Sequence, residues 1–176
     1  MISDITGRTG DDIVALTAGA PDDGLKGGSL NSTHVMGHDW TRRESGIHDI
    51  VIRNIVGYSN LCYNVRLLAC NTHIYNVVID GVIDVPAPGI EHTAAINIGD
   101  PDNCYGVNLP DGIKNITVSN VVSYGRYAIV IRGYLRDSVI SNVINNNPAC
   151  EGVTVKRENG VVNVQMNNIV SVSAGK

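Results

Sequence analysis

Two carboxylates stand side by side at Thr9-Gly10-Asp11-Asp12-Ile13-Val14-Ala15-Leu16, at the mouth of a short apolar strand. Adjacent aspartates at a strand entrance also read as a solvated turn. Trp40, the only tryptophan, has Arg42 and Arg43 beside it, a combination that could stack a sugar ring and hold an acidic substituent. It reads equally as a loop anchor packed on the body of the fold. His34 and His38 are four apart and would form a metal pair only on a helix, which Gly37 disfavours. A second acidic stretch, Gly99-Asp100-Pro101-Asp102-Asn103, alternates oxygen ligands in a way that suits calcium, and is also a plain turn. No nucleophile elbow, phosphate-binding glycine loop or cysteine-histidine pairing stands out, and no cofactor or resident metal is expected.

These residues hang on a repeat. The phrase apolar, polar, Asn/Asp/Gly, apolar recurs at Ile2-Ser3-Asp4-Ile5, Ile52-Arg53-Asn54-Ile55, Ile79-Asp80-Gly81-Val82, Val118-Ser119-Asn120-Val121, Ile140-Ser141-Asn142-Val143 and Met166-Asn167-Asn168-Ile169. Its third members fall at 4, 54, 81, 120, 142 and 168, so the unit is about 22 to 27 residues with insertions. Between copies lie alternating triplets: Val14-Ala15-Leu16, Val65-Arg66-Leu67, Ile96-Asn97-Ile98, Ile129-Val130-Ile131 and Val153-Thr154-Val155. Their outer members would point inward and Ala15, Arg66, Asn97, Val130 and Thr154 outward, because side chains alternate along a strand. β-Branched residues dominate, and no stretch holds apolar residues at i, i+3, i+4 and i+7 for three turns.

The expected fold is all-β: a single-stranded right-handed parallel β-helix, a solenoid of about six coils with almost no helix. A leucine-rich repeat lacks both its consensus and its helical segment here, and an irregular β-sandwich is the blander alternative. The Asn, Asp and Gly of the first phrase would sit where each coil turns, since they tolerate left-handed backbone. One domain, 1–176, is expected, with 19–46 as a long loop or a degenerate coil. Residues 2–5 read as the end of a coil whose beginning is missing, so truncation at the N-terminus is expected, with further coils or a partner chain capping the open end.

Thirteen basic against seventeen acidic residues give a net charge of −4, with no basic cluster in sequence beyond Arg42-Arg43, so nucleic acid is not an expected partner. No apolar run could span a bilayer, and no membrane partner is expected. Cys62, Cys70, Cys104 and Cys150 lack paired zinc spacing and read as buried thiols. Phe is absent, so the core must be aliphatic, with Tyr supplying bulk.

The Gly10-Asp11-Asp12-Ile13-Val14-Ala15 stretch resembles the Gly-Asp-Asp-Cys-Ile-Ala motif of the polygalacturonase-like family 28 glycoside hydrolases. Asn64-Val65-Arg66-Leu67-Leu68, following Ile47 to Asn54, is similar to that family's Val-Arg-Ile-Lys strand and the coil before it. The motif resemblance covers roughly residues 2 to 70. It implies an inverting hydrolysis in which one carboxylic acid protonates the leaving oxygen and other carboxylates activate water. By that likeness Asp11 matches the general acid, Asp12 a water-activating carboxylate, and Arg66 the arginine that binds a uronate carboxylate. Gly37-His38 is the nearest match to the family's Gly-His-Gly motif, which makes His38 a catalytic candidate. Two departures stand out. The family's upstream Asn-Thr-Asp motif, source of another catalytic carboxylate, is not in this chain, and its second cation is replaced by Leu68.

The expectation is therefore a carbohydrate-active β-helix, part of a hydrolase of acidic, pectin-like polysaccharides, inactive as this fragment and acting outside the cell or at its surface. Its ligand is a polysaccharide or oligosaccharide, held in a groove along the strand face that carries Asp11, Asp12, Arg66 and Asn97. The alternative is a non-catalytic sugar-binding or structural β-helix of the tailspike or adhesin kind.

Overall fold

In the computed structural model, residues 1–19, 46–86, 93–101, 107–149, 151–157 and 159–172 are described. Among them there is no helix. Eleven strands form two sheets, numbered in chain order. The first sheet holds β1 (Ile2–Thr9), β3 (Ile47–Ser59), β5 (Ile74–Asp84), β7 (Ile113–Ser123), β9 (Leu135–Asn145) and β11 (Val161–Ser171). The second holds β2 (Val14–Gly19), β4 (Tyr63–Cys70), β6 (Ala94–Ile98), β8 (Tyr127–Ile131) and β10 (Glu151–Val155). Every pairing is parallel, and the chain alternates between the sheets.

Register turns the sequence phrases into ladders. Ile52, Ile79, Val118 and Ile140 stack in one inward row, and Ile55, Val82, Val121 and Val143 in the next. From the second sheet, Val65, Ile96 and Ile129 face them beside Leu67, Ile98 and Ile131. All of these are fully buried. Each contributes about 1.5–3 kcal/mol by leaving water, which makes this aliphatic stack the main support of the fold.

The long strands bend where asparagine and aspartate take left-handed backbone. Asp4, Asn54, Asn120, Asn142 and Asn168 have φ between 53° and 60°, and Gly81 completes the row at 76°. A second row, five positions earlier in each strand, comprises Asp49, Asn76, Asn115, Asp137 and Asn163, with φ between 48° and 56°. At each such residue the in/out alternation resets. Inward positions in β7 are therefore 113, 116, 118, 121 and 123, steps of three and two rather than a uniform two. Side-chain amides link the rows along the stack: Asn54 Nδ2 donates to Asp4 Oδ1 at 2.9 Å, Asn142 Nδ2 to Asn120 Oδ1 at 3.2 Å, and Asn168 Nδ2 to Asn142 Oδ1 at 2.9 Å. Where Gly81 interrupts the chain of amides, Asp80 Oδ1 accepts from Asn120 Nδ2 at 2.7 Å and from Ser119 Oγ at 2.8 Å.

Asn142 lies inside this ladder and offers a clean test. Asn142→Ala should lower stability by about 1–2 kcal/mol more than Asn142→Gly, because both lose the amide links but only alanine is strained at positive φ. Equal urea midpoints for the two variants would show that backbone conformation is not what selects asparagine there.

β1 pairs directly with β3, and β2 with β4, so Arg66 is the register partner of Ala15 and stands one rung, about 5 Å, from it. Residues 20–45, and with them most of the 19–46 segment, lie outside the described residues. The outward expectation for the triplets holds for Ala15, which is exposed. Asn97 and Val130, both 0% exposed, and Thr154, 8% exposed, are nonetheless covered. Alternation sets which way a side chain points but not what covers it. Val130 packs with Tyr63 and Ala94 in a small second cluster against Cys62 and Tyr127.

Candidate functional site

Asp11 and Asp12 occupy the link from β1 to β2, and local hydrogen bonds fix them there. The Thr9 hydroxyl donates to the Asp11 carbonyl, and the Asp12 amide donates to Asp11 Oδ1 at 2.8 Å. Across the rung, the Tyr63 amide donates to Asp12 Oδ1 at 3.1 Å while the Ile13 amide returns a bond to the Tyr63 carbonyl at 3.1 Å. The carboxylate of Asp12 thus ties the entrance of β2 to the start of β4.

Arg66 projects from β4 between two acids. Its Nη1 is 3.5 Å from Asp12 Oδ2, and its Nε and Nη2 both donate to Asp100 Oδ2, at 3.2 and 2.9 Å. The Arg66 side chain is 12% exposed and both carboxylates 7%. Asp100 reaches this position through the turn after β6. Gly99 holds φ at 71° and accepts no Cβ, which would lie 2.5 Å from Gly133 Cα. The Asn108 side-chain amide pins the Asp100 carbonyl at 2.6 Å.

The two adjacent aspartates are shifted in opposite directions. A hydrogen bond from the Cys62 thiol, helped by the Asp12 amide, holds Asp11 below the ordinary carboxylate range. Burial pushes Asp12 above it, against the pull of Arg66 and the Tyr63 amide, and the charge on Asp11 adds to the rise. Burial likewise raises Asp100, with Arg66 opposing. The Cys62 thiol is pushed up to about 11 by burial and by its bond to Asp11. Single ligand atoms of Asp11, Asp12 and Cys62 lie within 4.8 Å of one another. They could hold a metal only with the thiol ionised, which burial opposes.

Several sequence candidates converge and others do not. Asp11, Asp12 and Arg66 come together, with Arg66 in direct contact with Asp12 rather than across a sugar-sized cleft from it. Asn97, the register partner of Arg66, is buried in the sheet rather than open to a groove: its Nδ2 donates to the Gly99 carbonyl at 2.7 Å, and its Oδ1 has no hydrogen-bond partner among the described residues. His38, Trp40, Arg42 and Arg43 lie outside the described residues, as do Asp102 and Asn103 of the calcium alternative. Gly99, Asp100 and Pro101 of that loop are described, and Asp100 is already engaged by Arg66.

Cys62, Tyr63 and Asp100 belong to the site without having been read as its members. The signal for Asp100 was its place three residues beyond the register partner of Arg66. Cys62 carried none beyond its position before the β4 strand. Cys70 is buried as expected of a thiol, whereas Cys62 is partly exposed and serves as a donor. No known protein family, curated protein or solved structure matches this chain.

Proposed function

We propose that the two parallel sheets are faces of a right-handed parallel β-helix, and that the chain is the carbohydrate-active part of a hydrolase of acidic polysaccharides. Substrates of that kind place it outside the cell or at its surface. The observation that carries this reading is the adjacent pair Asp11 and Asp12 set against Arg66, whose Nη1 is 3.5 Å from Asp12 Oδ2, with the two carboxyls shifted in opposite directions. Neighbouring carboxyls driven apart in this way divide the labour of acid and base. The resemblance assigned the acid to Asp11, but the electrostatics favour exchanging the roles. Asp12, which retains its proton to higher pH, is the better donor to a glycosidic oxygen. Asp11, held below the ordinary carboxylate range beside it, adds to the rise of Asp12 and stabilises positive charge developing on the sugar. Arg66 orients the acidic substrate.

A second reading has its own support. An inverting pair stands about 6.5–9.5 Å apart to admit water, and oxygens of Asp11 and Asp12 lie within 4.8 Å, so this pair does not supply both sides of the reaction. Arg66 is also already balanced by two carboxylates. Both facts suit a face that holds sugar without cutting it.

Reducing-end release from polygalacturonate and other acidic polysaccharides, by the full-length parent beside its Asp12→Asn and Asp11→Asn variants, separates the readings. Hydrolysis lost most severely in Asp12→Asn supports the acid assignment. Hydrolysis unchanged in Asp12→Asn overturns it, and binding without release selects the sugar-holding face.

A further inference from the structure

The outer face of the first sheet, turned away from the strand that carries Arg66, is apolar along the stack. Register places Thr6, Val56, Ile83, Val122, Ile144 and Val170 in one outward row, a single residue from each rung. Ile83 and Ile144 are each 39% exposed and Val170 43%. Val51, Val78, Thr117, Val139 and Gln165 form a second outward row, in which Val139 is again exposed. Tyr124 and Val172, just past the ends of β7 and β11, are exposed as well. The second sheet differs, since its outward Leu68 and Val130 are buried. Scattered exposed aliphatics are ordinary, whereas a contiguous patch aligned by register marks an interaction surface.

Spacing and charge select a second copy of this chain as the occupant. The rows repeat at the rung distance of about 4.8 Å, while a helix laid along them advances in turns of about 5.4 Å and falls out of step. The same row on another copy keeps step throughout. Chains of net charge −4 repel, but from β7 to β11 the strip between the two apolar rows holds only Ser119, Ser141 and Asn167, so contact there meets no such penalty. That middle row also sets the direction of approach. It runs Ser3, Arg53, Asp80, Ser119, Ser141, Asn167. With rungs running the same way in both copies, Arg53 meets Arg53 and Asp80 meets Asp80, and like charges repel. With rungs reversed, Arg53 meets Ser141 and Asp80 meets Ser119, and the apolar row still matches, Val56 with Ile144 and Ile83 with Val122.

We propose that this face pairs two copies of the chain about a two-fold axis lying along the strand direction, each outward apolar row packing on its counterpart with the rungs reversed. The contact is self-complementary and closes at two copies. The face measures about 24 by 20 Å, from five rung steps and some seven residues along each strand, and buries roughly 1,000 Å² over two copies. That area belongs to weak, reversible association, with a dissociation constant of about 10–100 µM. The pairing does not rest on the hydrolytic reading, because Asp11, Asp12 and Arg66 take no part in it.

Sedimentation velocity over rising concentration tests this with the unsubstituted chain, Val56→Lys, Ile144→Glu and an equimolar mixture of the two variants. The unsubstituted chain should form dimers. Each variant alone should associate about tenfold or more weakly, because by symmetry a charge is buried against an apolar side chain twice. Urea midpoints should stay unchanged, since both side chains point outward. The mixture should restore the dimer: the introduced lysine and glutamate then face each other, and the other half of the contact is unsubstituted. Should either midpoint fall, Ile83→Lys with Val122→Glu repeats the test on neighbouring rungs. A chain that stays monomeric, or association that survives both single variants, as contact through strand edges would, overturns the proposal. So does a mixture no stronger than its components, the result for rungs running the same way.

Discussion

Arg66→Met should lower the stability of the chain by roughly 3–5 kcal/mol near neutral pH, because it strips the shared cation from two carboxylates that are each only 7% exposed. Methionine replaces much of the aliphatic volume, so the loss is chiefly electrostatic. Its pH dependence identifies the cause. Asp12 and Asp100 are held above the ordinary value of 3.8 by burial, so their protonated forms favour the folded state. Their contribution is complete below about 3.8 and is lost as pH rises through their raised folded values. Without Arg66 those values move higher still, and ionisation at neutral pH becomes more costly. The deficit of Arg66→Met should therefore be largest near neutrality and shrink as the solution is acidified. Adding Asp100→Asn to Arg66→Met should recover part of it, since one uncompensated charge disappears. Urea midpoints with an unchanged denaturant slope measure both effects. A deficit independent of pH and untouched by the second substitution would mean that Arg66 matters for packing rather than charge.

That network shows where the sequence is readable and where it stops. The aliphatic ladders follow from triplets such as Val65-Arg66-Leu67 and Ile96-Asn97-Ile98, whose outer residues are inward and buried in every interior strand. The six-fold phrase located one row of left-handed residues. The second row, Asp49, Asn76, Asn115, Asp137 and Asn163, obeys the same physics and sits in similar frames such as Ile113-Lys114-Asn115-Ile116. It escapes a search for period two because each left-handed residue lengthens one inward step to three, so alternation reads as irregular. Asn97 illustrates a different limit. Its direction is set by the strand, but its complete burial depends on neighbours contributed by other rungs. The Asp100–Arg66 bond is less accessible again, since it requires the register of β4 with β6 and the turn that Gly99 makes against Gly133. Sequence spacing reveals ladders within a repeat, whereas contacts made by side chains leaning between rungs require the fold.

Asp12→Asn should reduce hydrolysis by about 10²–10⁴-fold, the usual worth of a positioned general acid, with little change in binding. Asparagine keeps the shape and can still accept the Tyr63 amide, so loss of the proton is separated from loss of structure. The pH profile carries the sharper expectation. With Asp12 as acid, activity falls on the basic side as Asp12 loses its proton, and burial places that limb above the ordinary 3.8. With Asp11 as the ionised partner, the acid limb lies below 3.8, where Cys62 and the Asp12 amide hold it. Substitutions beside the pair should then move the basic limb in opposite directions. Asp11→Asn removes a negative neighbour and shifts it to lower pH; Arg66→Gln removes a positive neighbour and shifts it to higher pH. A basic limb that ignores both substitutions would assign the proton to another group. A limb abolished by Asp11→Asn but retained by Asp12→Asn would return the acid to Asp11, as the motif resemblance implies. The opposed shifts follow from charge alone, so they hold whichever acidic polysaccharide reveals the activity.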